Sequence, residues 1–258
     1  MNRTFTQDIK QSLSSWRYWI SVSIVDIKNK YSRTLLGPLW VTGTVAVTIF
    51  AMGPLFGIIF QRPIDSYLLH LSTGMVFWIY ISSCISESCG AFIENITIIK
   101  NTSKPIYIYI FRIISRNTIV LLHNLIIPIL IAAYFGYLSM HIFFLMPAIA
   151  ISIVLVCLIS LPVAMICSRY RDFVPLTQNI LQLFFFLTPI FWVAGTNTER
   201  FRLLHLNPFD YIISLLRSPF YGEYDIFKIG VIFIFIIIFF ILSAILYIKF
   251  YKKLSYWL

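Results

Sequence analysis

The chain has 258 residues, of which 59% are hydrophobic and 12% charged, and its mean hydropathy is +0.86. A water-soluble domain of this length needs more polar surface than that composition supplies, which leaves an all-α polytopic membrane protein. The net charge of +10 does not point to nucleic acid, because Lys and Arg flank apolar runs instead of lining one face.

The first segment carries apolar residues at Ile9, Leu13, Trp16, Ile20, Ile24, Ile27 and Tyr31, the spacing of an amphipathic helix. Together with Tyr18 and Trp19 it reads as a helix lying in the membrane interface, with packing on a soluble partner as the alternative. Lys28, Lys30 and Arg33 follow, and after them no charged residue occurs until Arg62. Residues 1–34 are thus an interface segment, and 35–258 a transmembrane domain. The first apolar run starts near Leu35, too far from Met1 and too long for the core of a cleavable signal peptide.

Six spans are predicted near Leu39–Phe60, Tyr67–Ser86, Thr118–Leu138, Ile142–Ser168, Leu176–Ala194 and Ile229–Ile248. Thr188-Pro189 interrupts the fifth, so that span is expected to be kinked, short or re-entrant. With the N-terminus inside, fifteen of the 20 Lys and Arg fall on the inner side and five on the outer. That bias places both termini in the cytoplasm.

The inner segment at 90–104, "GAFIENITIIKNTSK", is too apolar at Phe92, Ile93, Ile96, Ile98 and Ile99 for a free linker. A short helix docking into a cleft on another protein explains it, with Glu94, Asn95, Ile98 and Lys100 exposed to the partner; packing on the membrane surface is the alternative. The outer segment at 195–228 mixes apolar turns with Pro208 and Pro219. It reads either as a re-entrant element or as surface helices capping the bundle.

Catalytic constellations are missing from the sequence: it contains no H-E-x-x-H, G-x-S-x-G or Walker A run. His123, beside Asn124, reads as an interhelical hydrogen-bonding residue. Cys84, Cys89, Cys157 and Cys167 read as small core residues with no metal-ligand spacing. Span centres lack ionisable residues, which argues against an ion-coupled carrier. Aromatics concentrate in spans one, two and five, at Trp40, Phe77, Trp78, Tyr80, Phe184, Phe185, Phe191 and Trp192. Such rings fill cores and mark interfaces, and they also suit a passage for sugar rings.

Four stretches, "NKYSRTLLGPLW", "FIENITIIKNTSKP", "SRYRDFVPLTQNILQLFFFLTPIFW" and "NPFDYIISLLRSPFYG", resemble in order the permease subunits of ABC-2 type polysaccharide exporters. The resemblance implies a homodimeric pore in the bacterial inner membrane, with two copies of a separate ABC ATPase that carry the ATP and Mg. This chain itself would have no cofactor and no catalytic residues. It implies that 90–104 is the coupling segment and that Lys28, Lys30 and Arg33 flank the entrance for a lipid-linked glycan diphosphate. Arg171-Asp172 matches the family's short inner motif, for which a local salt bridge is the plainer reading. The implied activity is export of undecaprenyl-diphosphate-linked polysaccharide, O-antigen first and capsule next. An exporter of a small lipid or drug, a membrane enzyme of glycan assembly and a non-transporting structural subunit are the rival readings.

Overall fold

A computed structural model describes residues 4–32, 37, 39–193 and 207–257, all of whose regular elements are helical. Arg33 and the first part of the outer segment, up to residue 206, lie outside the described residues.

The interface segment is two helices, α1 (Phe5–Ser14) and α2 (Trp16–Tyr31). Thr4 and Gln7 form a reciprocal capping box at the start of α1. The apolar stripe is divided between two surroundings. Phe5, Asp8 and Ser12 of α1 are buried, Ile9 packs against the core and Ile27 of α2 is buried, whereas Leu13 of α1 and Trp16 and Ile24 of α2 are exposed. The Asp8 carboxylate fixes which side of α1 docks. It accepts hydrogen bonds from the backbone N–H groups of Ile106 and Tyr107, both at 3.1 Å, and from the Tyr247 hydroxyl at 3.1 Å. A buried carboxylate costs little when its lone pairs meet orphan donors at a helix N-terminus. The exposed part of the stripe, Leu13, Trp16 and Ile24, stays free for the membrane interface.

Among the described residues, five helical stretches are long and apolar enough to cross a bilayer. They are α3 (Leu39–Ile59), α4 (Ile64–Ser88), the pair α6 (Tyr107–Asn124) and α7 (Ile126–Tyr134), a short 3-10 turn running into α8 (Leu145–Arg169), and α11 (Ile226–Phe250). α6 begins eleven residues before the predicted third span, so Arg112 and Arg116 sit in its first turns and not in a loop. α4 is the central post, with most of its length buried. α3 and α11 are largely exposed, as lipid-facing or subunit-facing spans must be. α12 (Leu254–Trp257) returns to the end of α8, where Arg169 sits over the Trp257 ring. The first and last described residues, Thr4 and Trp257, therefore lie at the same end of the bundle, which is also the end rich in Lys and Arg.

The fifth predicted span is the exception. α9 (Phe173–Leu187) has 15 residues, about 22 Å at 1.5 Å per residue, which is short of a hydrocarbon core of about 30 Å. It stops where Thr188 turns extended before Pro189, since the residue preceding proline avoids the helical region. The chain re-enters helix at α10 (Pro208–Tyr221), capped by Asn207 with Pro208 in the first turn and closed by Gly222 in the left-handed conformation. Phe209 of α10 packs on Trp78 of α4, 14 residues and so about 21 Å along α4 from Ile64. α10 thus starts deep in the bundle and rises to the end opposite the basic one, the geometry of a re-entrant helix.

Candidate functional site

Three connected features stand out. The first is a charged junction at the basic end. Arg112 of α6 grips Asp26 of α2 in a two-pronged pair at 2.6 and 2.7 Å, and its third nitrogen donates to the Asn95 side-chain oxygen at 3.0 Å. One turn on, Arg116 reaches Asp26 at 3.5 Å and Glu87 of α4 at 2.8 Å, and Asn117 also donates to Glu87. The i, i+4 spacing puts both guanidinium groups on one face of α6. Charge-assisted bidentate bonds are short, strong and directional, so three segments are held in one register.

This junction holds the 90–104 segment. Phe92 is buried, meeting Tyr109 edge-on at 6.4 Å, and the short helix α5 (Ile96–Asn101) follows Asn95. Lys104 sits 3.6 Å above the Tyr18 ring of α2 and closes the segment's far side. Glu94, Ile98 and Lys100 face outward, and Ile98 is 37% exposed. The segment is anchored by one face and free on the other.

The second feature is a cleft of about 520 Å³ between α4 and α9. It runs from Glu87 and Gln178 at the basic end to Trp78 and Phe185 at mid-bundle, with Ser82, Ser86 and Gln182 along its walls. Hydroxyls, amides and one carboxylate facing two aromatic rings make a surface able to hydrogen-bond a polar molecule and to stack on its apolar faces. Glu87 belongs to both features: it lines the cleft and is fixed from behind by Arg116 and Asn117.

The third feature is the staple at the break after α9. Arg217 donates to the Pro189 carbonyl at 3.2 and 3.3 Å, to the His70 carbonyl at 3.1 Å and to the Thr73 hydroxyl at 3.2 Å. Tyr67 donates to the Phe191 carbonyl, His70 Nε2 lies 3.2 Å from the Trp192 carbonyl, and Asn207 donates to the Thr188 hydroxyl at 2.8 Å. Irregular backbone inside a membrane bundle persists only when its carbonyls are satisfied in this way. Gly74 makes the room, because a Cβ there would meet Arg217 Nη2 at 2.5 Å and the Ile190 backbone at 3.3 Å.

The predicted aromatics divide. Trp78 and Phe185 meet at 5.6 Å in the cleft, and Phe191 stands 4.8 Å from Phe185. Phe184 packs on Phe209, and the Trp192 indole donates to the Phe186 carbonyl at 3.1 Å. Phe77 and Tyr80 are buried in the core, away from the cleft, and Trp40 is exposed at the start of α3. Lys28 and Lys30 lie exposed in the last turn of α2. Arg171 and Asp172 are exposed at the start of α9, and no ion pair joins them. His123 bonds the Ile119 carbonyl of its own helix at 2.8 Å, while Asn124 makes the interhelical bond, accepting from Thr42 at 2.9 Å. The expectation for His123 is corrected accordingly. All four cysteines are buried free thiols.

Sequence reading missed Asp26, Arg112, Arg116, Asn117, Gln178 and Gln182 as site residues. A signal was present for the last two, since Gln178 and Gln182 repeat one helical turn apart within an apolar run.

Residues 17–221, from α2 through α10, match the family described as ABC-2 type transporter. The chain belongs to that family. This ABC-2 chain is also similar to proteins named O-antigen export system permease protein RfbA. One, from Myxococcus xanthus, is 20% identical over 208 residues, covering 78% of this chain and 79% of its own length. Two from Klebsiella pneumoniae are 28% and 26% identical over 203 residues, covering 76% of each chain. The ABC-2 chain is therefore a multi-pass membrane transport protein, and the junction, cleft and staple all fall inside the matched region.

Proposed function

We propose that the chain is the membrane subunit of an ATP-driven exporter moving undecaprenyl-diphosphate-linked polysaccharide across the bacterial inner membrane. O-antigen is the first-choice cargo and capsule the second. The observation that carries this reading is the polar and aromatic cleft between α4 and α9, whose wall residue Glu87 is tied through Arg116, Asp26 and Arg112 to the segment at 90–104. A surface of hydroxyls, amides and aromatic faces, with the single Glu87 carboxylate at its basic end, suits a glycan better than an ion. The names of the relatives support the same cargo class.

In this reading two copies pair so that their cleft sides face each other, and the exposed flanks of α3 and α9 meet the partner or lipid. Glu94, Ile98 and Lys100 present α5 to a separate ATPase subunit, which binds ATP and Mg, while Asn95, expected on the same face, instead ties α5 to Arg112 from behind. Lys28, Lys30 and Arg33 attract the lipid diphosphate on the cytoplasmic side, where both termini lie. ATP-driven closure of the ATPase pair pushes α5. The Arg112 junction passes that displacement to α2 and, through Glu87, to the cleft wall, which opens for the polymer.

The test is to fractionate envelope polysaccharide in a strain lacking this chain. Lipid-linked polymer trapped inside is the expected result. Normal surface glycan would overturn the reading in favour of a small-substrate exporter. Loss of polymer everywhere, with synthesis shown to be intact in membranes, would favour an assembly enzyme.

A further inference from the structure

A separate cleft of about 540 Å³ lies at the basic end between the start of α1 and the last turns of α11. One wall is a helical stripe, Phe240, Ala244 and Tyr247 of α11, continued by Tyr251 and Lys252 in the 3-10 turn that follows it. From 240 to 252 that stripe is about 18 Å long at 1.5 Å per residue, close to one leaflet of a hydrocarbon core about 30 Å thick. The opposite wall is Phe5, which meets Phe240 at 5.4 Å and Tyr247 at 5.5 Å. The apolar part is continuous with the exposed, lipid-facing surface of α11 at Ile241, Ile245 and Ile248.

The charged mouth gives the occupant its sign. Lys252 lines the cleft, is exposed, and makes no ion pair among the described residues. Lys249 and Lys253 stand beside it, and residues 226–257 contain no Asp or Glu. Asp8, behind the Tyr247 wall, is buried and already accepts bonds from two backbone amides and Tyr247. Thr4 and Thr6 add hydroxyl donors at the same mouth. An apolar groove one leaflet deep, ending in uncompensated cations and hydroxyls at the membrane surface, has the chemistry of an anionic phospholipid site.

We infer that this cleft binds one anionic phospholipid, with an acyl chain along the Phe240–Tyr251 stripe and the phosphate held by Lys252, Thr4 and Thr6. Because Tyr247 both walls the cleft and holds Asp8, the lipid fastens α1 to α11. The site lies on α1 and α11, apart from Lys28 and Lys30 on α2, and does not depend on the exported cargo.

The experiment is native mass spectrometry of the full-length purified chain with phosphatidylglycerol, phosphatidylcholine or inorganic phosphate added. The unaltered chain is expected to retain one phosphatidylglycerol about tenfold more strongly than phosphatidylcholine, and to show no retention of phosphate. Lys252→Glu is expected to abolish the headgroup preference, and Ala244→Phe, which fills the groove without changing charge, to abolish retention of that lipid. Lys252→Arg should retain it. Equal retention of both lipids by the unaltered chain, or retention of phosphatidylglycerol undiminished in Lys252→Glu and Ala244→Phe, would overturn the assignment. Size-exclusion profiles matching the unaltered chain establish that the variants are folded, and the Lys252 pair reads the headgroup site even where Ala244→Phe does not fold.

Discussion

The Arg112 guanidinium holds both oxygens of Asp26, at 2.6 and 2.7 Å, across 86 residues of sequence. The same group reaches Asn95, so one side chain joins the interface helix to the segment bearing α5. Arg112→Ala leaves Asp26 with only the longer bond to Arg116, and Asp26→Ala leaves two cations facing each other. The two single variants are each expected to lower export. A double-mutant cycle on thermal stability in detergent should give a coupling of about 1–3 kcal/mol, checked by unfolding of the four proteins. Independent, additive effects would remove the junction from the mechanism.

Ile98 tests the outward face of α5. It is 37% exposed and lies outside the buried core, so Ile98→Asp should cost the fold no more than about 1 kcal/mol, read as a shift of a few degrees in melting temperature. Stimulation of a co-purified ATPase should fall several-fold. If stimulation persists unchanged, α5 does not dock there.

Arg217 supports the broken backbone after α9. Arg217→Met removes donors from two carbonyls and a hydroxyl, and a loss of about 2–5 kcal/mol is expected. Arg217→Lys should recover only part, since one ammonium does not span the Pro189 and His70 oxygens as a planar fork does. Thermal unfolding of the two variants distinguishes this from a simple need for positive charge.

Gly74 is predicted to matter through Arg217. Gly74→Ala brings a Cβ into the guanidinium and the Ile190 backbone, so it should destabilise the chain by about 1–3 kcal/mol. The cost should shrink in an Arg217→Ala background, where the guanidinium is gone. Equal losses in both backgrounds, read from melting curves, would assign the strain to Ile190 alone.

Gln178 and Gln182 address the cleft directly. Both are exposed, and Leu at either position keeps helix propensity and removes hydrogen bonding. The double variant should export several-fold less glycan at unchanged protein level, with Trp78→Leu giving a comparable loss. Full export would overturn the proposal that the cargo passes between α4 and α9.

How much of this was readable in advance follows from the range of the interactions. The spans at Leu39–Ile59 and Ile64–Ser88 are set by local hydropathy and begin and end within a few residues of their predicted limits. Thr188-Pro189 likewise stops α9 by backbone sterics that act within two residues. The N-terminal stripe was equally visible, yet its orientation was not. Asp8 fixes the docked side of α1, and no local pattern shows this because its partners, the amides of Ile106 and Tyr107 and the Tyr247 hydroxyl, lie 98 to 239 residues away. Arg112 and Arg116 read as loop cations because local counting cannot register a carboxylate on α2 and another on α4.

By itself, then, the sequence determined that this is an all-helical membrane chain, where its apolar runs begin, and that proline breaks one of them, since each depends on neighbours along the chain. Tertiary structure alone decided which polar groups meet. The Arg112–Asp26 grip, the Glu87 wall of the cleft and the Arg217 staple exist only once α2, α4, α6 and α10 pack together. In a low-dielectric bundle a buried polar group must find its partner wherever the fold places one.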